Sequence, residues 1–234
     1  MRYALYFTPP EDHDLTRAAN TWLGRNAFSG EMLPQESLGS LSAAYISDIT
    51  SAPRRYGFHG TLRAPFYLAP NKSKHELATA VDQFSKAQKP FKMPALKVGR
   101  LGPFFALVPA EDTTQLNQFT GEVLKAFEPF RAPLTEADYQ RRKPERLTER
   151  QRNYLKEWGY PYIFDDFRFH MTLTGPVPEE EADAMEDVLE NIFAPHLNSN
   201  IFCKGPSLFV ESEANGPFIA NDTASKNTPK TERP

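Results

Sequence analysis

Phe167-Arg168-Phe169-His170-Met171-Thr172-Leu173-Thr174-Gly175 restates a run that stands earlier as Tyr56-Gly57-Phe58-His59-Gly60-Thr61-Leu62-Arg63-Ala64. Both copies read Phe-His-x-Thr-Leu. On a strand, successive side chains point to opposite faces. His59 then shares a face with Thr61, and His170 with Thr172. Phe58 and Leu62, like Phe169 and Leu173, take the other face and suit a core. A lone His-x-Thr in a strand carries little information. Two in matching sequence frames are hard to assign to packing.

The frames extend beyond the motif. Each copy is followed by a helical pattern, then a strand, then a Gly-Pro-Phe triplet at Gly102 or Gly216. The histidines are 111 residues apart and the triplets 114. Two landmarks at nearly one offset argue for an internal duplication. The expected architecture is α+β: a two-lobed, pseudo-symmetric pair of antiparallel sheets facing a central cleft, with helices outside. It forms one domain over residues 1–220. Residues 221–234 are polar and read as a disordered tail.

Other elements follow from pattern. Arg2 to Thr8 reads as a strand stopped by Pro9-Pro10. Helices are expected near 15–23 (capped by Asp12 or Asp14), 73–88, 112–127, 148–158 and 179–193. Strands are expected at 95–100, 104–109, 201–210 and 218–220. The block from Arg131 to Gly159 interleaves arginines and lysines with acids. It reads as a solvated, salt-bridged helical insertion, the alternative being a lid whose arginines reach an anionic substrate.

Composition narrows the function classes. A net charge of −3 gives no global attraction for long duplex nucleic acid. No apolar run is long enough for a membrane span, and the N-terminus lacks a signal-peptide pattern. The single cysteine, Cys203, excludes an internal disulfide and points to a packed side chain in a cytoplasmic protein. His13, His75 and His196 read as surface residues.

Across a pseudo-two-fold, His59 and His170 would face one phosphate. A neutral imidazole takes a proton from the attacking hydroxyl, and a protonated one gives a proton to the leaving oxygen. Thr61 and Thr172 would donate hydroxyl hydrogen bonds to the phosphate oxygens. Parity adds Arg168 and Arg63 to the same face, where a guanidinium can grip phosphate bidentately. Parity places Tyr56 on the opposite face. The chemistry calls for no metal and no cofactor. A metallohydrolase would need three or more converging ligands, for which Asp166 is the nearest carboxylate of matching parity. A non-catalytic phosphate-binding module is the other rival.

The paired His-x-Thr-Leu motifs in a duplicated α+β chain resemble the 2H phosphoesterase superfamily. That group includes cyclic phosphodiesterases and enzymes that process RNA 2′,3′-cyclic phosphates. Arg55 to Leu62, Leu147 to Gln151, Trp158 to Tyr162 and Phe167 to His170 are similar to its DUF1045, or putative phosphonate-metabolism, subgroup. The resemblance implies His59 and His170 as catalytic and Thr61 and Thr172 as phosphate ligands. It implies a small cyclic phosphate as substrate, such as a ribose 1,2-cyclic phosphate formed in phosphonate breakdown.

Overall fold

A computed structural model of the chain describes residues 1–197 and 200–221. The disordered-tail expectation for 222–234 lies outside the described residues. Asn221 is described, and its backbone N–H donates to Leu208 O at 2.7 Å.

Nine strands and eight α-helices lie along the described residues. In chain order they are β1 (Arg2–Phe7), α1 (Asp14–Leu23), α2 (Ala43–Ile49), α3 (Ser51–Tyr56) and β2 (Gly60–Phe66). Then come α4 (Lys74–Ala87), β3 (Phe91–Lys92), β4 (Leu96–Leu101), β5 (Phe104–Pro109) and α5 (Thr114–Phe127). The insertion supplies α6 (Glu136–Arg141) and α7 (Glu149–Trp158), followed by β6 (Met171–Thr172) and α8 (Ala182–Leu197). The last strands are β7 (Phe202–Cys203), β8 (Ser207–Glu211) and β9 (Phe218–Ala220).

The sheet departs from expectation. The strands join one curled, seven-stranded antiparallel sheet in the order β4-β5-β6-β2-β1-β8-β9, with β3 and β7 paired separately. Two facing sheets were expected. They merge because the two motif strands pair directly, Gly60 opposite Met171. Sequence parity fixes which face each residue takes but not which strand it lies beside. The hairpin that follows the first motif, β4-β5, pairs with β6 of the second motif. The hairpin that follows the second, β8-β9, pairs with β1.

The alternation itself is as read. Phe58, Leu62, Phe169 and Leu173 are all buried in the main core. That core also takes Leu15 and Trp22 of α1, Leu77 of α4, Phe119 and Val123 of α5, and Met185 and Leu189 of α8. The Trp22 indole N–H donates to Leu173 O at 2.9 Å, anchoring α1 beside the second motif. A smaller cluster of Ala4, Tyr6, Ala27, Phe209 and Phe218 packs separately. Alternation along β1 thus sends Leu5 to one cluster and Tyr6 to the other.

Helix ends follow the sequence closely. Ser73 with Glu76, and Thr148 with Gln151, each form a reciprocal capping box. At α1 the cap is His13 instead of Asp12 or Asp14, its Nδ1 accepting from the Leu15 N–H. That gives a structural role to a histidine read as a surface residue. The segment before Ser51, of undetermined form in the sequence, contains α2, capped by Ser42.

Candidate active site

His59 immediately precedes β2, and His170 immediately precedes β6. Each ring is held the same way. His59 Nδ1 lies 2.8 Å from Gly57 O, and His170 Nδ1 lies 2.8 Å from Arg168 O. A carbonyl can only accept, so Nδ1 carries the proton in both rings. That leaves Nε2 of each histidine as the working nitrogen, a proton acceptor when neutral and a donor when charged.

The register around Gly60 and Met171 sets the neighbours. Continued by one residue each way, it puts His59 opposite Thr172 and Thr61 opposite His170. Residues directly opposite on antiparallel strands have Cα atoms about 4.5–5.5 Å apart. His59 Nε2 also lies 3.3 Å from its own Thr61 hydroxyl.

The two histidines differ in surroundings. The His59 ring stacks on the buried Tyr6 ring at 3.8 Å between centroids, with Tyr56 at 6.0 Å. His170 has Phe104 at 6.0 Å. Burial lowers the His59 pKa from 6.5 to about 4, against the Gly57 hydrogen bond, which raises it. A charge on His170 acts in the same direction as burial. His59 is therefore neutral near pH 7.

A cavity of about 390 Å³ opens beside these groups. Its lining includes Thr61, His170, Arg168, Arg131, Arg142 and Tyr160. His59 and Thr172 stand next to this lining rather than within it. The insertion thus forms a wall of the cavity, where the bland expectation made it a solvated helix. Its ion pairs are present as well, Arg141 with Asp138 and Arg150 with Asp166.

Arg168 and His170 both line the cavity, as parity implied. Arg63 is arranged differently. Tyr6 is opposite Thr61, but Leu5 is opposite Arg63, which leaves Leu62 as an extra residue on β2. This bulge breaks the alternation at Leu62, and Arg63 still lines the cavity together with Thr61. Its guanidinium donates to Leu124 O at 2.8 Å and pairs with Glu128 at 2.5 Å, at the C-terminal end of α5.

Parity puts Tyr56 on the far face unless the strand starts after it, and it does. The strand begins only at Gly60, and Gly57 has a φ of 78°, a turn that favours glycine. The chain reverses there and returns Tyr56 to the side of His59. Thr174 is buried and accepts from the Phe105 N–H at 2.9 Å, a structural bond. Burial pushes the Cys203 thiol up to about 12, so it is inert as a nucleophile near neutral pH. Among the described residues, no group of three or more His, Cys, Asp or Glu is gathered to hold a metal. No helix among them is long and apolar enough to cross a membrane.

Residues 61–219 match a family described as "Protein of unknown function (DUF1045)". The chain belongs to this family. Two curated relatives add DUF1045-like sequence within longer proteins. One, from Janthinobacterium sp. (strain Marseille), is 36% identical over 184 residues, covering 79% of this chain and 41% of the relative. The other, from Laribacter hongkongensis (strain HLHK9), is 31% identical over 222 residues, covering 93% of this chain and 50% of the relative. Both are named ribose 1,5-bisphosphate phosphokinase PhnN. The DUF1045 chain spans half or less of their length.

Proposed function

We propose that this DUF1045 protein is a metal-independent phosphodiesterase that opens a cyclic phosphate on a small nucleotide or sugar phosphate, with a role in phosphonate metabolism. The observation that carries the reading is the matched pair of Nδ1 bonds. Two histidines from separate copies of one motif are fixed in the same tautomer, and His59 Nε2 lies 3.3 Å from the Thr61 hydroxyl.

His59, neutral through burial, acts as the base. Its Nε2 takes a proton from the attacking water as the new P–O bond forms. His170, as imidazolium, gives its Nε2 proton to the ring oxygen as the old P–O bond breaks. One water is consumed and a phosphomonoester with a neighbouring hydroxyl results. Thr61 and Thr172 donate to the non-bridging oxygens, where charge grows in the transition state. Arg168 binds substrate phosphate. Arg63 lines the cavity as well, its guanidinium tied to Glu128. A cavity of about 390 Å³ favours a mononucleotide or sugar phosphate over a length of RNA.

The relatives' phosphokinase name supplies the second reading, phosphoryl transfer from a nucleotide. A P-loop kinase needs Gly-x-x-x-x-Gly-Lys-Ser/Thr, and no Gly-Lys pair occurs in this sequence. This chain carries no such P-loop and spans half or less of those relatives.

Phosphorus NMR of the purified chain with 2′,3′-cyclic nucleotides and ribose 1,2-cyclic phosphates tests the proposal, with ATP and ribose 1,5-bisphosphate as a parallel arm. Ring opening that persists in excess chelator and falls at least about 100-fold in His59→Asn and in His170→Asn is the expected result. Chelator-sensitive turnover, full activity in either variant, or ATP-dependent transfer would overturn it.

A further inference from the structure

Arg25, two residues past the end of α1, is 3% exposed and pairs with no carboxylate among the described residues. Its guanidinium goes to backbone carbonyls. Nε donates to Arg54 O at 2.8 Å, and Nη2 donates to Arg55 O at 3.1 Å and Phe218 O at 2.9 Å. Nη1 has no partner among the described residues. Burial, with the charge of Arg54 acting the same way, lowers its pKa to about 10, so it stays charged at pH 7. A buried charge without a counter-charge is costly and depends on the dipoles around it. Arg54 and Arg55 supply them from the last turn of α3, where carbonyls lack an intrahelical donor and carry partial negative charge.

Those carbonyls lead directly to His59. The Gly57 N–H donates to Pro53 O at 3.0 Å and to Arg54 O at 3.2 Å. Arg54 O thus accepts from the Arg25 guanidinium and the Gly57 amide together. With no Cβ and a φ of 78°, Gly57 leaves its own carbonyl free to take several directions, so its neighbours must choose one. That carbonyl accepts the Nδ1 proton of His59 at 2.8 Å. Phe218, whose carbonyl completes the Arg25 set, stacks on Tyr56 at 5.4 Å between centroids. The second copy is built differently. Among the described residues, no buried guanidinium bonds the carbonyls around Arg168 O, which accepts from His170. The ion pair beside it, Arg150 with Asp166, faces solvent.

We propose that Arg25 is a positioning residue for His59: by holding the end of α3 it fixes the Gly57 carbonyl, which keeps the ring proton on Nδ1 and leaves Nε2 free to accept one. The role deepens the reading of His59 as the base, on which its catalytic meaning rests, but the tautomer itself exists without substrate. Which ring nitrogen carries the proton is set by the bond that the other makes. Slackening the carbonyl lets the proton pass to Nε2, and a ring in that form cannot take a proton there.

Nitrogen-15 NMR of the histidine rings at pH 7.5 reads the tautomer, with His59→Asn and His170→Asn assigning the signals. Wild type should show His59 protonated at Nδ1. In Arg25→Gln the two His59 nitrogen shifts should approach one another as tautomers mix, while those of His170 stay in place. With a cyclic phosphate substrate, kcat should fall about 10- to 100-fold with KM little changed. Arg25→Lys keeps the charge but not the fork that spans three carbonyls, so it should recover part of both losses. Arg54→Gln controls for general loosening, because the Arg54 guanidinium bonds Leu23 O, Gln35 and Ser47 O and neither Gly57 nor His59. It should lower the melting temperature without moving the His59 shifts. Unchanged His59 shifts in Arg25→Gln, the same change in Arg54→Gln at an equal loss of melting temperature, or a wild-type ring protonated at Nε2 overturns the role. Should Arg25→Gln not fold, Arg25→Lys decides: partly merged His59 shifts support the role, and wild-type shifts overturn it. The spectra need no substrate, so an absence of turnover counts against the phosphodiesterase reading alone.

Discussion

His59 and His170 sit one residue outside the single point where the two motif strands pair, Gly60 opposite Met171. Each ring donates its Nδ1 proton to the carbonyl two residues before it, at 2.8 Å in both cases. The pairing is thus more than a structural join. It brings two copies of one side-chain arrangement together at a single point of the sheet.

The difference between the two rings gives a pH signature. Burial lowers His59 from 6.5 to about 4, so the acid limb of kcat/KM should fall near pH 4 to 5. Stability follows the same group. The unfolded chain binds this proton from 6.5 downward and the folded chain only near 4, so stability declines as pH falls between those values. The full effect is at most about 3 kcal/mol, and His59→Asn should lack it. Denaturation of both proteins between pH 7.5 and 4 measures it. A wild-type acid limb near pH 6.5 would remove His59 as the base.

Thr61→Val and Thr172→Val remove the hydroxyls while keeping the β-branched shape that suits a strand. Neither hydroxyl holds the fold, and Thr61 bonds only to His59 Nε2 among the described residues. Each variant should lose about 10- to 100-fold in kcat, with a melting temperature close to wild type. A variant with unchanged kcat would place its threonine outside the reacting phosphate's reach.

Much of this site was legible because strand alternation is a local rule. Phe58, Leu62, Phe169 and Leu173 are buried as the pattern requires, and Arg168 lines the cavity with His170. What escaped the sequence depends on neighbours or on single dihedrals. Pairing of β2 with β6 is a tertiary choice, and alternation within each strand is the same whether they lie in one sheet or two. The bulge at Leu62 leaves the apolar pattern intact, so the sequence does not show that Arg63 is tied to Glu128. Tyr56 lies before the turn at Gly57, where counting by twos no longer applies. The charge block of the insertion gave composition without location. Only the fold puts Arg142 beside Tyr160 at the cavity.

Gly60 fills the middle of its motif for a steric reason. A Cβ there would collide with the Phe169 ring from the second copy. Gly60→Ala should therefore separate the motif strands, costing about 1–3 kcal/mol and lowering kcat with it. Phe169→Leu alone removes part of a buried ring from the core. Combined with Gly60→Ala, it should recover stability relative to the sum of the single variants. Thermal melts of the four proteins close the cycle, and strict additivity would show that the two residues do not meet.

Glu211 ties the first strand to the first motif. Its carboxylate is 1% exposed and accepts from Arg2 at 2.5 and 2.7 Å and from Arg55, the residue before Tyr56. Burial alone would raise its pKa, but the bonds from Arg2 and Arg55 outweigh that and hold it below the ordinary 4.5. A depressed carboxylate gives stability that is present above its unfolded pKa and lost as pH falls through the folded one. Glu211→Gln keeps the shape and leaves two partly buried guanidinium groups without their counter-charge. It should cost about 2–4 kcal/mol at pH 7, with the gap to wild type closing as pH drops below about 4. Arg55 also leads into the turn that returns Tyr56 to His59, so the variant should lose activity beyond its loss of folded protein. Urea melts at pH 7 and pH 3.5, with kcat measured on the folded fraction, separate the two effects. A gap that stays constant with pH would mean that Glu211 is held in place by shape and not by charge.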